Sequence, residues 1–287
     1  MTFFQSQRNK KEMTSPGLGA KTASEESNMR LAVLIDADNA SANCIEAILS
    51  EITRFGEATV KRIYGDFTSP YLAAWKGFLH VNAIKPVQQY AYTTGKNATD
   101  SAMIIDAMDL LYTRRFDGFC LITSDSDFTS LAIRIREEGL TVLGFGEEKT
   151  PSAFIKACHK FIFTEVLQST PPATESIPDE TASEPQKTKN NVARSKKTES
   201  PSPKKPLPLG LISNALEQSS DDTGWADLGA FGNHLTKLRS DFDPRLYGFA
   251  KLSSLVKANP RIFEVEERTI KNSSRKEIFI RAKQPHK

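Results

Sequence analysis

The chain has 287 residues, 39% of them hydrophobic, with 38 Lys and Arg against 35 Asp and Glu and a formal net charge of +3. That length suits one large domain or two modest ones with a packed core, and so small a total charge argues for a polyanionic partner only if it is segregated. No apolar run approaches the roughly 20 residues that span a bilayer, and the start MTFFQSQRNKKEMTSPGLGAKTASEESN lacks the continuous apolar centre of a secretory signal, so a cytoplasmic protein without membrane attachment is expected. Cys44, Cys120 and Cys158 are far apart and odd in number, which suggests small core residues rather than disulfides or a zinc knuckle.

Residues 1–29 are expected to be disordered. From Met29 to about Leu167 strand-like and helix-like segments alternate. Strands are predicted at 31–36 (LAVLID), 59–64 (TVKRIY), 82–87 (NAIKPV), 118–123 (GFCLIT), 140–145 (LTVLGF) and near 161–164, with helices at about 42–54, 70–79, 98–113, 126–138 and 152–158. Such alternation describes an α/β domain over 30–168, a mainly parallel sheet flanked by helices.

Residues 169–186 carry four acids and no base, and 187–206 carry seven bases and one acid. Both stretches are rich in Pro, Ser and Thr and poor in large apolar residues, so neither buries enough surface to offset its ordering entropy. They read as a disordered linker over 169–206, its basic half either a solvated spacer or an arm that touches phosphates. After Pro208 periodicity returns. LISNALEQS, WADLGAFGNHLTKLR and YGFAKLSSLVKAN read as helices, and RIFEVEER and KEIFIRA alternate like two antiparallel strands. Three helices and a hairpin over 207–284 describe a small α+β winged helix. Residues 271–287, with six Lys or Arg against one Glu, suit a basic wing or tail that touches phosphates.

The acidic residues fall at strand ends. Asp36 closes the first strand, with Asp38 and Asn39 in the loop after it; Asp100 opens the third helix; Asp125 and Asp127 follow the fourth strand in CLITSDSDF. In a parallel sheet all three segments can converge on the carboxyl edge, where ligands bind. A Ser or Asp at such a junction also commonly caps the helix. Carboxylates brought within a few ångströms repel one another and rise in pKa unless a cation sits among them. A hard divalent ion, Mg²⁺ or Mn²⁺, is the simplest remedy, and it can activate water against a phosphodiester. Glycine-rich phosphate loops, Ser–His pairs and His/Cys metal spacings are absent, and His80, His159, His234 and His286 stand in no motif.

LIDADNA, YGDFTSPYLAAWKGFL, TGKNATDSAMIIDAMDLL and FCLITSDSDFTSLAIRIREEGLTVLGFG, in that order, resemble the NYN domain of the LabA-like branch, within the PIN-like ribonuclease superfamily, over nearly all of 30–167. The resemblance implies a metal-dependent ribonuclease, most concretely an RNA endonuclease. Asp36, Asp100, Asp125 and Asp127 carry over as catalytic metal ligands for Mg²⁺ or Mn²⁺, and Asn39, Lys96 and Ser124 fall on the substrate side. On this reading Asp125 is a ligand rather than a cap, and Ser124 and Ser126 do the capping. The family turn usually reads G-D-S-D-F, and Ser124 replaces that Gly, which leaves the backbone approach less open. Lys96, one helical turn before Asp100, reads equally as a point charge that meets the scissile phosphate or as a solvated lysine. Asp66 reads first as a turn residue, Asp106 and Asp109 as facing solvent or making cap interactions, and Tyr64, Phe67 and Trp75 as core.

In the second domain the pattern Trp225, Leu228, Leu235, Tyr247-Gly248-Phe249, Leu252 and Phe263 resembles the OST-HTH/LOTUS domain, over about 208–284. It implies binding of RNA, or of a protein partner, rather than catalysis. The sequence specifies no oligomeric state. Two other readings stay open. LIDADNA is also a strand followed by D-x-D, as in haloacid-dehalogenase-like phosphatases, where Asp36 would be the phosphorylated nucleophile and Asp38 the general acid; no inserted cap domain and no loop Ser/Thr–Lys pair accompanies it. The other is a non-catalytic first domain that binds RNA or protein as a regulator, against which stands the retention of every pocket acid.

Overall fold

A computed structural model describes residues 28–90, 98–168, 205–269 and 276–283. Its first domain is a parallel sheet of β1 (Met29–Asp36), β2 (Gly56–Gly65), β3 (Lys85–Gln88), β4 (Gly118–Ile122), β5 (Thr141–Gly146) and β6 (Lys160–Phe163). The strand order is β3-β2-β1-β4-β5-β6, and every neighbouring pair is parallel. The central strands are continuous apolar runs because both faces are covered. Ala32, Leu34, Phe119 and Leu121 face one core, filled by Met103, Ala107 and Leu110 of α3 (Ala98–Tyr112), Leu131 and Ile135 of α4 (Thr129–Glu137) and Phe154 of α5 (Ser152–Ala157). Leu31, Val33, Ile35, Cys120 and Ile122 face the other, filled by α1 (Ile45–Ile52), α2 (Trp75–Val81) and α6 (Thr164–Gln168). Among the described residues no helix is long and apolar enough to cross a membrane.

Two local details depart from the predicted elements. β3 begins at Lys85 because residues 82–84 close α2: Ala83 takes a left-handed φ of 49° and the Ile84 N–H donates to the Leu79 carbonyl at 2.9 Å. Asp106, expected to face solvent or a cap, instead accepts hydrogen bonds from the Arg62 guanidinium and the Tyr64 hydroxyl of β2. It shares a helix face with Met103, Ala107 and Leu110, so it points at the sheet, while Asp109 is exposed. This bond ties α3 to β2.

The chain steps outward from β1 to β3, then α3 carries it back across to β4 on the other side of β1. A topological switch point therefore lies between the carboxyl ends of β1 and β4, where loops diverge and leave a crevice.

The second domain contains α7 (Leu209–Ser219), β7 (Trp225–Asp227), α8 (Leu228–Leu238), a 3₁₀ turn at Pro244–Tyr247, α9 (Leu252–Ala258), β8 (Phe263–Thr269) and β9 (Lys276–Ala282). Its antiparallel sheet runs β7-β9-β8. Trp225–Asp227, predicted as the start of a helix, is the third strand; Asp227 then caps α8, its side chain accepting the Ala230 N–H at 2.9 Å. The predicted third helix is divided by Gly248 at φ 83°, a left-handed residue that ends the 3₁₀ turn.

The sequence predicts two modules joined by a linker over 169–206, of which 169–204 lie outside the described residues, while Lys205 pairs with Glu148 at 2.9 Å. The structure adds an interface between the modules. The Ser240 carbonyl accepts the Phe161 N–H of edge strand β6 at 3.0 Å, and the Ser240 hydroxyl donates to the Ile155 carbonyl at 2.7 Å. Arg245 grips Glu51 of the first domain through two bonds of 2.9 and 3.0 Å and reaches Asp243 at 2.7 Å. Glu51 and Asp243 are 7% and 6% exposed, so two buried carboxylates share Arg245, and Arg54 also holds Glu51 at 2.8 Å. Glu51 lies in the last turn of α1, Ile155 lies in α5 just before β6, and Phe161 lies near the start of β6, which places the contact at the amino edge of the sheet, opposite Asp36.

Removing one partner of a buried ion pair typically costs ~3–5 kcal/mol. In Arg245→Ala, however, Glu51 regains water if the domains part, so the loss cannot exceed the docking free energy. The expected outcome is undocking without unfolding: a larger radius of gyration by small-angle X-ray scattering with an unchanged far-ultraviolet circular dichroism spectrum. An unchanged radius of gyration would show that the ion triad does not hold the domains together.

Candidate active site

Asp36 ends β1 fully buried. One carboxylate oxygen accepts the Asp38 N–H at 3.1 Å; the other accepts the Asn39 amide at 2.9 Å and the Thr123 hydroxyl at 2.8 Å. Burial raises its pKa, and these three donors oppose the rise. Thr123 follows β4 directly and also accepts the Asp125 N–H at 3.1 Å. Its hydroxyl thus links the two strand ends that flank the switch point.

Asp125 opens the 3₁₀ turn Ser126–Phe128 as its N-cap, accepting the Asp127 N–H at 2.9 Å. This corrects the expectation that Ser124 and Ser126 would cap. Ser124 is buried, and its hydroxyl accepts the Glu147 N–H at 2.9 Å, joining the β4 loop to the β5 loop. The cap engages one oxygen of Asp125, so capping and ligand binding do not exclude each other.

Asp100 enters from a third segment, in the first turn of α3. One carboxylate oxygen from each of Asp100, Asp125 and Asp127 lies within 4.8 Å of the others. Burial pushes Asp100 up to about 6, helped by the charges of Asp36, Asp125, Asp127 and Asp38. Three hard oxygen donors, one of them held high in pKa by burial and its acidic neighbours, are a donor set that suits a divalent cation. Asp36 lies outside that trio and acts on it through charge and through Thr123.

Of the remaining residues singled out in the sequence, Asn39 spends its amide on Asp36, and Lys96 lies outside the described residues. Asp66 stands apart from the trio, accepting from Thr68 and from Gln88 at 2.8 Å in the loop after β2. Tyr64 and Trp75 are core, and the three cysteines are buried and free. His159 accepts the Val142 N–H through Nδ1 at 3.0 Å, and His234 contacts Gln218. Thr123 is the functional neighbour that sequence reasoning missed; only its place after a buried strand could have pointed to it.

The raised Asp100 has a consequence for stability. Between its ordinary value of 3.8 and about 6 the folded protein holds a proton that the unfolded chain releases. Metal-free stability contributed by this group therefore falls as pH rises through that window, and Asp100→Asn should gain melting temperature relative to wild type between pH 4.5 and 7.5 in EDTA. Because protons and cations compete for Asp100, Mn²⁺ should raise the wild-type melting temperature more at pH 7.5 than at pH 5. Equal Mn²⁺ shifts in wild type and Asp100→Asn would remove Asp100 from the site.

Two family models match the chain, the NYN domain over residues 30–167 and the OST-HTH/LOTUS domain over residues 202–274. Among solved structures, the chain is similar to an uncharacterized protein of Nitrosomonas europaea determined by NMR, at 45% identity, covering 38% of this chain and 96% of that one with a TM-score of 0.29. It is also similar to a crystal structure of a protein of unknown function from Vibrio parahaemolyticus, at 18% identity, covering 48% of this chain and 93% of that one with a TM-score of 0.41. No curated protein sequence matches it. The parallel-sheet domain and the smaller helix-and-hairpin domain coincide with the two matched regions: this chain contains an NYN domain over 30–167 followed by an OST-HTH/LOTUS domain over 202–274.

Proposed function

We propose that the protein is a divalent-metal-dependent ribonuclease of the LabA-like branch, acting in the cytoplasm, in which the NYN domain hydrolyses RNA phosphodiester bonds and the OST-HTH/LOTUS domain helps to hold the RNA. The observation that carries this reading is the trio Asp100, Asp125 and Asp127, gathered from two segments within 4.8 Å at the switch point. These residues would hold Mg²⁺ or Mn²⁺. When bound, such an ion supplies Lewis acidity toward water and the scissile phosphate.

The chain's own residues set the geometry. The Thr123 bridge to Asp36 fixes where the Asp125 backbone sits, and the Asp125 cap fixes Asp127. Asp36 and Asn39 are positioning residues, with Asp36 adding negative charge behind the trio. Since Asn39 and Ser124 are engaged in internal bonds, Lys96 is the phosphate contact that this reading favours. The phosphatase alternative is disfavoured because Asp36 is 0% exposed and both its oxygens accept hydrogen bonds, a poor setting for an attacking nucleophile.

Two substitutions at one position separate the two roles of Asp125. Asparagine caps as well as aspartate, so Asp125→Asn should keep the wild-type melting temperature and lose cleavage of labelled RNA in Mn²⁺ by more than the ~10–100-fold that even an outer-shell change costs. Asp125→Ala should lose both cleavage and about 1 kcal/mol of stability. Wild-type cleavage by Asp125→Asn would refute the assignment.

A further inference from the structure

At the amino edge of the NYN sheet, opposite the carboxylates, the two domains enclose a groove of about 1030 Å³. Arg136 at the end of α4, Lys156 of α5 and Lys160 at the start of β6 line one wall; Lys237 and Arg239, at the end of α8, line the other; Asp241 is the acid among the lining residues. Asp241 is taken up by Arg239, through two bonds of 2.9 and 3.1 Å. Arg136 donates to the Lys156 and Ala157 carbonyls at 3.2 and 3.0 Å, bonds that orient the guanidinium without neutralising it. Among the described residues no carboxylate lies within ion-pair distance of Arg136, Lys156 or Lys237. Lys160 sits with its ammonium 5.9 Å over the Phe55 ring.

Concave walls of low dielectric focus such a field and concentrate anions. The volume lies at the upper end of the ~300–1,000 Å³ of small-molecule pockets, and the cations are spread over both walls rather than converging on one point. That distribution fits a chain of phosphates better than a single one. Of the two aromatic rings in the lining, Phe55 has Lys160 over it and His159 is fixed by the Val142 N–H at its Nδ1, so charge rather than a row of open aromatic faces dominates the groove. We propose that this seam is a second RNA-binding site, which grips the phosphate backbone of the substrate at a distance from the scissile bond and without base readout. Its identity as an RNA site rests on the ribonuclease reading; its affinity for a polyanion does not.

The distance follows from the sheet. β5 runs six residues from the groove edge toward the carboxylate edge, about 20 Å at ~3.3 Å per residue. An RNA that occupies both sites must therefore carry several nucleotides beyond the cleavage position, and both domains must be docked for the two walls to act together.

The test uses the full chain in EDTA, with fluorescence anisotropy of labelled single-stranded RNAs of ~6 and ~30 nucleotides, chosen around the span of about 4–16 nucleotides typical of one binding module. The double variant Lys156→Glu/Lys237→Glu should bind the long RNA at least ~10-fold more weakly, with a salt slope flatter by about 1.4, two phosphate contacts at ~0.7 each. Lys76→Glu/Lys85→Glu makes the same charge change at exposed positions outside the groove and should leave long-RNA binding unaltered. Equal losses in the two double variants, or no loss in the groove pair, would overturn the proposal. Cleavage of the short RNA in Mn²⁺ distinguishes the two readings: the groove pair should retain it, whereas a wild-type protein that binds long RNA through the groove yet cleaves nothing would remove the nuclease reading and leave the groove.

Discussion

Repulsion between carboxylates is the constraint around which the NYN domain is arranged. Asp36, Asp100, Asp125 and Asp127 come from three segments, and each would be more comfortable in water. What holds them is a relay of neutral donors: Thr123 donates to Asp36, accepts from the Asp125 backbone, and Asp125 in turn fixes Asp127. Asp100 sits in the first turn of α3, where the helix dipole favours an anion. Anchoring that helix then matters, and Asp106 does it by accepting from Arg62 and Tyr64 of β2.

Much of this could be read from the chain. The apolar runs at 31–35 and 119–122 gave buried parallel strands, and acids directly after them belonged at the carboxyl edge. Asp100, Asp125 and Asp127 lie together, whereas Asp36, expected among them, stands outside the trio. Other features were hidden for identifiable reasons. In Ser-Asp-Ser-Asp any residue can cap, and only the point where the turn starts selects Asp125. Thr123 has no motif; its role exists because β1 and β4 are neighbours in space. Asp106 looked like a solvated helix acid until the face it shares with Met103 and Leu110 was placed against the sheet. β7 is three residues long, and its partner β9 lies some fifty positions later, beyond the reach of local periodicity. The Arg245–Glu51 contact joins residues 194 apart, each in a segment that reads as ordinary polar surface.

The two edges of the sheet differ in how their charges are paired. Acids gather at the carboxyl edge, while the amino edge takes the second domain and the cations of the seam groove. Docking through Arg245, Glu51 and Asp243 fixes the winged helix relative to the carboxylates, so its contribution to binding is one of geometry as well as of local concentration. The Ser240 bond to Phe161 also covers the edge of β6, a strand that would otherwise offer an unpaired N–H for association.

The central claim is that the strand-end acids form a divalent cation site. It is tested most directly by an anomalous-difference map from crystals of the full chain soaked in Mn²⁺ at pH 7.5. The account predicts a peak among the carboxylates of Asp100, Asp125 and Asp127, lost in Asp125→Asn. Mn²⁺ bound elsewhere, or a peak that survives that substitution, would contradict it.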